Sequence, residues 1–337
     1  MPSLEFLLGV VMMASLTFYV LLGGADYGGG VWDLLARGPR ATNQRELIAN
    51  AIGPIWEANH VWLILVVVVL FTAFPPAFAL ISTSLHVALL LMLFGIVLRG
   101  SAFIFRAYDS TKDHVQRRWG RVFAMASLVT PVLLGVVVGA ISSASIRAPG
   151  ESVTLPYFFR WIAPFPLAVG LFAVVLFALL AAVYLTLETN EAALQDDFRR
   201  RAIASEVAAG LLALTVFLLA EQRAPAIRER LADSLWTWPL QLSTALLALG
   251  TLWSLWVRRF RLARVCAASQ VTLILWGWAL AQYPYLVRPE LTIHNSAAPQ
   301  PTMRALLWAL AAGGALLFPS YWYLFSVFKG KTQNSPS

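Results

Sequence analysis

An acid, an amide and an imidazole follow one another closely at the start of a strongly apolar stretch. Glu57, Asn59 and His60 lie between Trp56 and Trp62, and an apolar run follows directly. On a helix, Glu57 and His60 are three residues apart, so their side chains occupy neighbouring positions. An ionised carboxylate about two turns inside a membrane span is costly unless it is paired, protonated or hydrated. These residue types therefore predict a site that handles protons.

A second acid and an arginine are predicted at a similar depth. Asp26 lies in the glycine-rich stretch of residues 23–30, at the end of the first apolar segment, and Arg99 ends the third. We expect Asp26 and Glu57 to form the start of a proton path, with Arg99 as an ion-pair partner of either acid. The alternatives are a solvated helix-end charge for Asp26, snorkelling for Arg99, and membrane anchoring or packing for the two Trp residues.

The composition is that of a membrane protein. Hydrophobic residues make up 59% of the 337-residue chain and charged residues 12%, which excludes a soluble domain. We predict an all-α integral membrane protein with nine spans, each of about 20 residues. The predicted spans are 6–26, 52–74, 79–99, 121–142, 163–187, 202–220, 240–257, 266–283 and 304–326. Spans one to four and five to eight are candidates for two four-helix bundles.

The positive charges predict the orientation. Most of the 25 Lys and Arg residues fall in the tail and in the connections after spans one, three, five and seven. By the positive-inside rule, the N-terminus is outside and the C-terminus is cytoplasmic. This placement explains the net charge of +8 without nucleic acid as a partner. We expect one membrane domain over residues 1–328, a polar tail over 329–337, and no cleaved signal peptide, because no Lys or Arg precedes the first span.

Few residues suit a prosthetic group or a metal. The single cysteine, Cys266, excludes a multi-thiolate centre, and the four His are scattered without paired ligand spacing. His86, predicted near the middle of the third span, either ligates a haem iron or, more commonly, hydrogen-bonds a neighbouring helix. Glu206, about one turn inside the sixth span, is expected to snorkel or to pair with the arginines at 199–201. Nucleotide loops and nucleophile elbows are absent from the sequence.

Two functions remain open on these residues alone. One is a subunit of a bioenergetic complex. The other is a secondary transporter in which Asp26 and Glu57 bind a coupling ion at a broken helix near residues 23–30. The glycines themselves are most simply explained by close helix packing, since Gly24 and Gly28 form a small-xxx-small pair.

Four stretches of the sequence resemble subunit II of the cytochrome bd-type quinol oxidases, including the cyanide-insensitive branch. The most specific is W-[DE]-x-N-x-x-W-L followed by F-x-A-[FW]-P, which runs here from Trp56 to Pro75. The stretches are residues 24–28, 51–63 with 70–75, 98–106 and 276–299.

The resemblance implies a nine-helix fold of two four-helix bundles and one peripheral helix in a bacterial-type cell membrane. It implies a structurally similar subunit I as partner, which carries haem b and haem d, or haem b alone, and the quinol site. This chain is then expected to bind no prosthetic group. In that family, subunit II stabilises its partner and contributes to a cytoplasmic proton path and, in some members, to an apolar oxygen path. Membrane lipid, quinone and a small accessory subunit complete the expected partners.

The resemblance also implies roles for individual residues. Asp26, Glu57 and Arg99 match the ionisable positions of the family, and Trp56, Asn59 and Trp62 match its motif. Two positions depart from the family pattern. Glu57 stands where Asp is common, and Ile104 stands where many members have an acid. His60 occupies a position that varies in the family.

Overall fold

The chain is built almost entirely of helices. The computed structural model describes residues 3–52, 56–108, 113–143, 146 and 161–330. The helices are α1 Leu4–Phe18, α2 Gly24–Leu34, α3 Ala41–Ile52, α4 Trp56–Ala73, α5 Pro75–Ser84, α6 His86–Tyr108, α7 Asp113–Ser142, α8 Pro164–Leu185, α9 Ala192–Arg223, α10 Pro225–Asp233, α11 Thr237–Trp256, α12 Phe260–Gln282 and α13 Gln300–Gly330. A π-helical turn, Tyr19–Gly23, joins α1 to α2, and β1 Tyr285–Val287 pairs antiparallel with β2 Leu291–Thr292.

Seven helices in the described part of the chain are long and apolar enough to cross a membrane. They are Leu4–Leu34, His86–Phe105, Arg118–Ser142, Pro164–Leu185, Ala192–Arg223, Phe260–Gln282 and Gln300–Leu324. The pair α3 and α4, whose axes differ by 55°, is an eighth if it counts as one span. Helix α11 covers most of the seventh predicted span, residues 240–257, but it is not one of these seven helices. The all-α membrane fold is confirmed, and nine spans remain a prediction.

The bundle is centred on α2, α7 and α8. Helix α8 contacts α2, α7 and α9, and α11 packs on α12, so the earlier and later helices meet at α8. The composition of α8 explains its central position, since the helix is apolar along its whole length and most of its side chains are buried. Among the described elements, helix α13 packs mainly against α1 and α4, and only 6% of its most apolar stretch is buried inside the protein. It is therefore peripheral.

The close approach of α2 and α8 depends on Gly28. A Cβ atom at this position would lie 2.0 Å from the carbonyl oxygen of Phe177 and 2.8 Å from the Cβ of Ala181. Only a residue without a side chain fits there, as expected for a small-xxx-small pair. The packing predicted for the Gly24 and Gly28 pair is confirmed, and it brings the backbone around Asp26 against the most buried helix of the protein.

Several predicted spans have different boundaries in the structure, and the first and third bear on the site. The first span was predicted to end at Asp26, but the helix continues to Leu34. The third predicted span, 79–99, is divided between α5 and α6 by a break at Leu85, and α6 continues past Arg99. Hydropathy places the end of a span at a charged residue. Asp26 and Arg99 are charged but buried, so both predicted spans end too early.

Charged side chains form ion pairs and hydrogen bonds between helices at one end of the bundle. Arg40 donates to both carboxylate oxygens of Asp197, at 2.9 and 2.7 Å, and the hydrogen bond to Asp197 raises the pKa of Arg40. Gln44 links this pair to Arg201, donating to Asp197 at 2.7 Å and accepting from Arg201 at 2.7 Å. Arg258 binds Asp196 at 2.9 Å at the same end. These contacts join the segment around α3 to the start of α9.

Candidate functional site

Asp26 and Asn59 form a buried pair between α2 and α4. The Nδ2 of Asn59 donates to the Oδ2 of Asp26 at 2.6 Å, and the two residues are 6% and 1% exposed. The structure therefore joins two residues that are 33 positions apart in the sequence. The alternative of a solvated helix-end charge for Asp26 is wrong, because the helix continues past Asp26 and the bundle encloses its side chain.

Arg99 is a buried cation that lies over the ring of Tyr27, the residue after Asp26. Its side chain is 2% exposed, and its guanidinium carbon lies 4.6 Å from the ring centroid of Tyr27 and 5.2 Å from that of Phe123. Its Nε donates to the Oγ of Ser127 at 3.2 Å. Stacking on two aromatic rings offsets part of the cost of removing a guanidinium from water. Snorkelling of Arg99 to the headgroups is therefore wrong.

Two tyrosines and His60 extend the polar site. The hydroxyl groups of Tyr19 and Tyr27 lie 3.4 Å apart, and the ring of His60 lies 6.0 and 6.2 Å from their ring centroids. Sequence reasoning missed both tyrosines. The available signal was their spacing of eight residues, which places two side chains on one helix face. The partly buried His60 thus faces the two tyrosines.

The remaining motif residues have different positions. Glu57 is exposed on the first turn of α4 and does not join the buried pair. Trp62 is 5% exposed and stacks on Phe18 with 4.6 Å between ring centroids, while the ring of Tyr321 lies 5.6 Å away. Trp62 therefore packs α4 against α1 and α13. Trp56 begins α4, and its side chain lies outside the described part of the structure.

The helix is continuous through the glycine-rich stretch. The π-helical turn leads directly into α2, with Gly23 and Gly24 in right-handed helical conformation. The broken helix required by the transporter alternative is therefore not found at residues 23–30. A π-helical turn immediately before a buried acid is instead typical of a functional site in a helix.

Comparison with known proteins identifies the family. Residues 4–328 match the family model for cytochrome bd terminal oxidase subunit II. The chain belongs to this family. It is 28% identical to the cytochrome bd-I ubiquinol oxidase subunit 2 of Escherichia coli (strain K12) over 221 residues, which is 64% of this chain and 56% of that protein. The match thus spans little more than half of the length of that relative.

Two further comparisons cover nearly the whole chain. The putative cytochrome bd menaquinol oxidase subunit II of Bacillus subtilis (strain 168) is 20% identical over 337 residues, or 97% of this chain and 96% of that protein. In the structure of bd oxidase from Geobacillus thermodenitrificans, one chain matches with a TM-score of 0.81 and 23% identity, over 97% of this chain and 99% of that one. This structural likeness supports the fold. Together, the apolar helices and the family match identify a multi-pass membrane protein of the bacterial inner-membrane type.

The position predicted for His86, near the middle of a span, is wrong. His86 begins α6 and is exposed, and its Nδ1 lies 2.9 Å from the carbonyl oxygen of Thr83. The residue is therefore at a helix end rather than in the middle of a span, because α5 and α6 are separate helices. Within the described ranges, no group of three or more His, Cys, Asp or Glu side chains is placed to hold a metal ion.

Glu206 also differs from its prediction. It neither snorkels nor reaches the arginines at 199–201, because its side chain points into the bundle and is 4% exposed. Its Oε1 accepts from the Nε2 of Gln270 on α12 at 2.7 Å. The protein thus has a second buried pair of an acid and an amide, between α9 and α12.

Proposed function

We propose that the chain is the haem-free subunit II of a bd-type quinol:oxygen oxidoreductase and that it stabilises a haem-bearing subunit I. The family match over residues 4–328 supports this proposal, as do relatives named as subunits of ubiquinol and menaquinol oxidases. In the proposed complex, the haems and the quinol site belong to subunit I. The chain contributes membrane-embedded helices and polar groups rather than redox chemistry of its own.

We further propose that Asp26 accepts protons taken from the cytoplasm for the reduction of oxygen to water. The observation that carries this proposal is the 2.6 Å bond between Asn59 and Asp26 inside the helical bundle. The buried cation Arg99 lies over the ring of Tyr27, the residue after Asp26. Asn59 fixes the orientation of the carboxyl group, and the charge of Arg99 compensates a carboxylate in an apolar surrounding. Each transfer through Asp26 breaks one O–H bond and forms another, so no redox step occurs in this chain.

Glu57 fits the same proposal at the surface of the chain. Its side chain is exposed on α4, among apolar residues that are also exposed, including Val61 and Ile64. A carboxylate facing lipid tails is costly, whereas one facing polar groups of a partner is not. We therefore assign Glu57 to the contact with subunit I, where it joins the proton path from outside the buried cluster.

The orientation belongs to the proposal as well. The charged end that contains Arg40, Asp197 and Arg201 is assigned to the cytoplasm, with the N-terminus of the chain outside and the C-terminus inside. Asp26 lies on the helix that leads to this charged end, about two turns before Leu34. Protons therefore have a short distance to travel from the cytoplasm to Asp26.

The test is Asp26→Asn in the assembled oxidase. We expect quinol-driven oxygen uptake to fall roughly a hundredfold, the scale of losing a positioned proton-transfer group, with the haem spectrum of subunit I unchanged. Glu206→Gln is the matched control, because it also neutralises a buried acid that is bonded to an amide. Glu57→Gln is measured in the same assay. Normal oxygen uptake and proton uptake by Asp26→Asn would refute the role of Asp26.

A further inference from the structure

A cavity of about 70 Å³ lies against Asp26 and Asn59, between α2, α3, α4, α8 and α12. Four of its twelve lining residues are small, namely Ala25, Gly29, Ala51 and Ala181. A water molecule occupies roughly 30 Å³ in the liquid, so the cavity has room for about two. The small side chains keep this space open.

The inner end of the cavity is polar. Asn59 is 1% exposed and uses its Nδ2 to donate to Asp26, whereas its Oδ1 has no hydrogen-bond partner among the described residues. A buried amide oxygen without a donor is costly, and buried polar atoms of this kind are commonly satisfied by water. Asn59 therefore marks the inner end as a place for water next to the Asp26 carboxyl.

The outer end of the cavity is charged. Glu188 follows the end of α8, and exposed Arg264 lies in the second turn of α12. The guanidinium carbon of Arg264 lies 5.0 Å from the ring centroid of Tyr184, which forms part of the same wall. These residues lie at the end of the bundle that also contains the Asp196 and Arg258 ion pair. The cavity thus joins the charged end of the protein to its buried acid.

We infer that this cavity is a water-filled inlet through which protons reach Asp26, with Glu188 and Arg264 at its mouth. The inference rests on the proposed role of Asp26, and it adds a route between α8 and α12 that does not pass Glu57. A proton bound by the Glu188 carboxylate passes to a water molecule, along the water in the cavity, and onto the Asp26 carboxylate. At each step one O–H bond breaks and one forms, so charge and atoms balance. Arg264 balances the charge of Glu188 at the mouth.

Two substitutions test the inlet in the assembled oxidase. Ala51→Leu fills the cavity from α3, and Glu188→Gln removes the proton acceptor at the mouth without changing its size. We expect each to slow quinol-driven oxygen uptake roughly tenfold, less than the loss of Asp26 itself because water remains at the inner end. Each should also increase the slowing caused by deuterated water, since proton delivery becomes rate-limiting. Ala204→Leu, on the exposed face of α9, is the control for added volume.

The outcomes separate this inference from the proposed function. If Asp26→Asn slows the enzyme but Ala51→Leu and Glu188→Gln behave as the parent, the role of Asp26 stands and the inlet is refuted. If Asp26→Asn has no effect, both fail. If Ala51→Leu does not assemble with its haem-bearing partner, Glu188→Gln decides the question in the same assay, because it leaves the packing intact.

Discussion

Replacing Gly28 by alanine tests the packing that positions Asp26. The new Cβ would lie 2.0 Å from the carbonyl oxygen of Phe177, whereas non-bonded atoms prefer roughly 3.5 Å. Helix α2 must therefore move away from α8 by about 1.5 Å, because the contacted atom belongs to the backbone and cannot rotate aside. Overpacking of this kind costs about 1–3 kcal/mol, and the higher helix propensity of alanine returns about 1 kcal/mol.

The assay is thermal unfolding of the purified oxidase, followed by the amount of complex that remains assembled. We expect Gly28→Ala to lower the midpoint of unfolding and to reduce oxygen uptake, since the same shift moves Asp26 relative to Asn59. Gly210→Ala is the matched control, because a Cβ at Gly210 has no atom within 4 Å. This control should be neutral or slightly stabilising.

The reasoning is refuted if Gly28→Ala unfolds at the same temperature as Gly210→Ala. That result would mean that α2 and α8 do not meet at the distance seen in the structure. An intermediate result is also informative. If stability falls while oxygen uptake per assembled complex is unchanged, the packing is as described but the position of Asp26 does not depend on it.

Two other predictions concern polar contacts outside the proton site. Gln270→Leu leaves the Glu206 carboxyl without its amide donor inside the bundle, so it should lower the free energy of unfolding by about 1–3 kcal/mol. Glu206→Gln can still hydrogen-bond to Gln270, so it should lower the free energy of unfolding by less in the same experiment. Arg40→Gln removes the ion pair with Asp197. Because the Arg40 side chain is 45% exposed, we expect only a small loss of stability, and this loss should disappear at high salt. A large, salt-independent loss would show that this end of the bundle depends on the pair more than its exposure suggests.

The differences between prediction and structure have a common physical origin. Hydropathy locates a span by its average composition, so a charged residue inside a bundle resembles the end of a span. Asp26 and Arg99 are predicted at membrane edges for this reason, although each is enclosed by helices. The same averaging joins α5 to α6 and puts His86 in the middle of a span rather than at the start of a helix.

Sequence alone determined the all-α membrane class, the small-residue contact at Gly28, and Asp26, Asn59 and Arg99 as residues of interest, because apolar composition and charges within it are local properties of the chain. Only the tertiary structure decided that Asn59 bonds to Asp26, that Arg99 lies between two aromatic rings, and that Glu57 is exposed. These outcomes depend on which helices pack against one another, and α2 packs against α8, which lies far from it in the sequence. Periodicity places a side chain on a face of its own helix, but it does not say what that face meets.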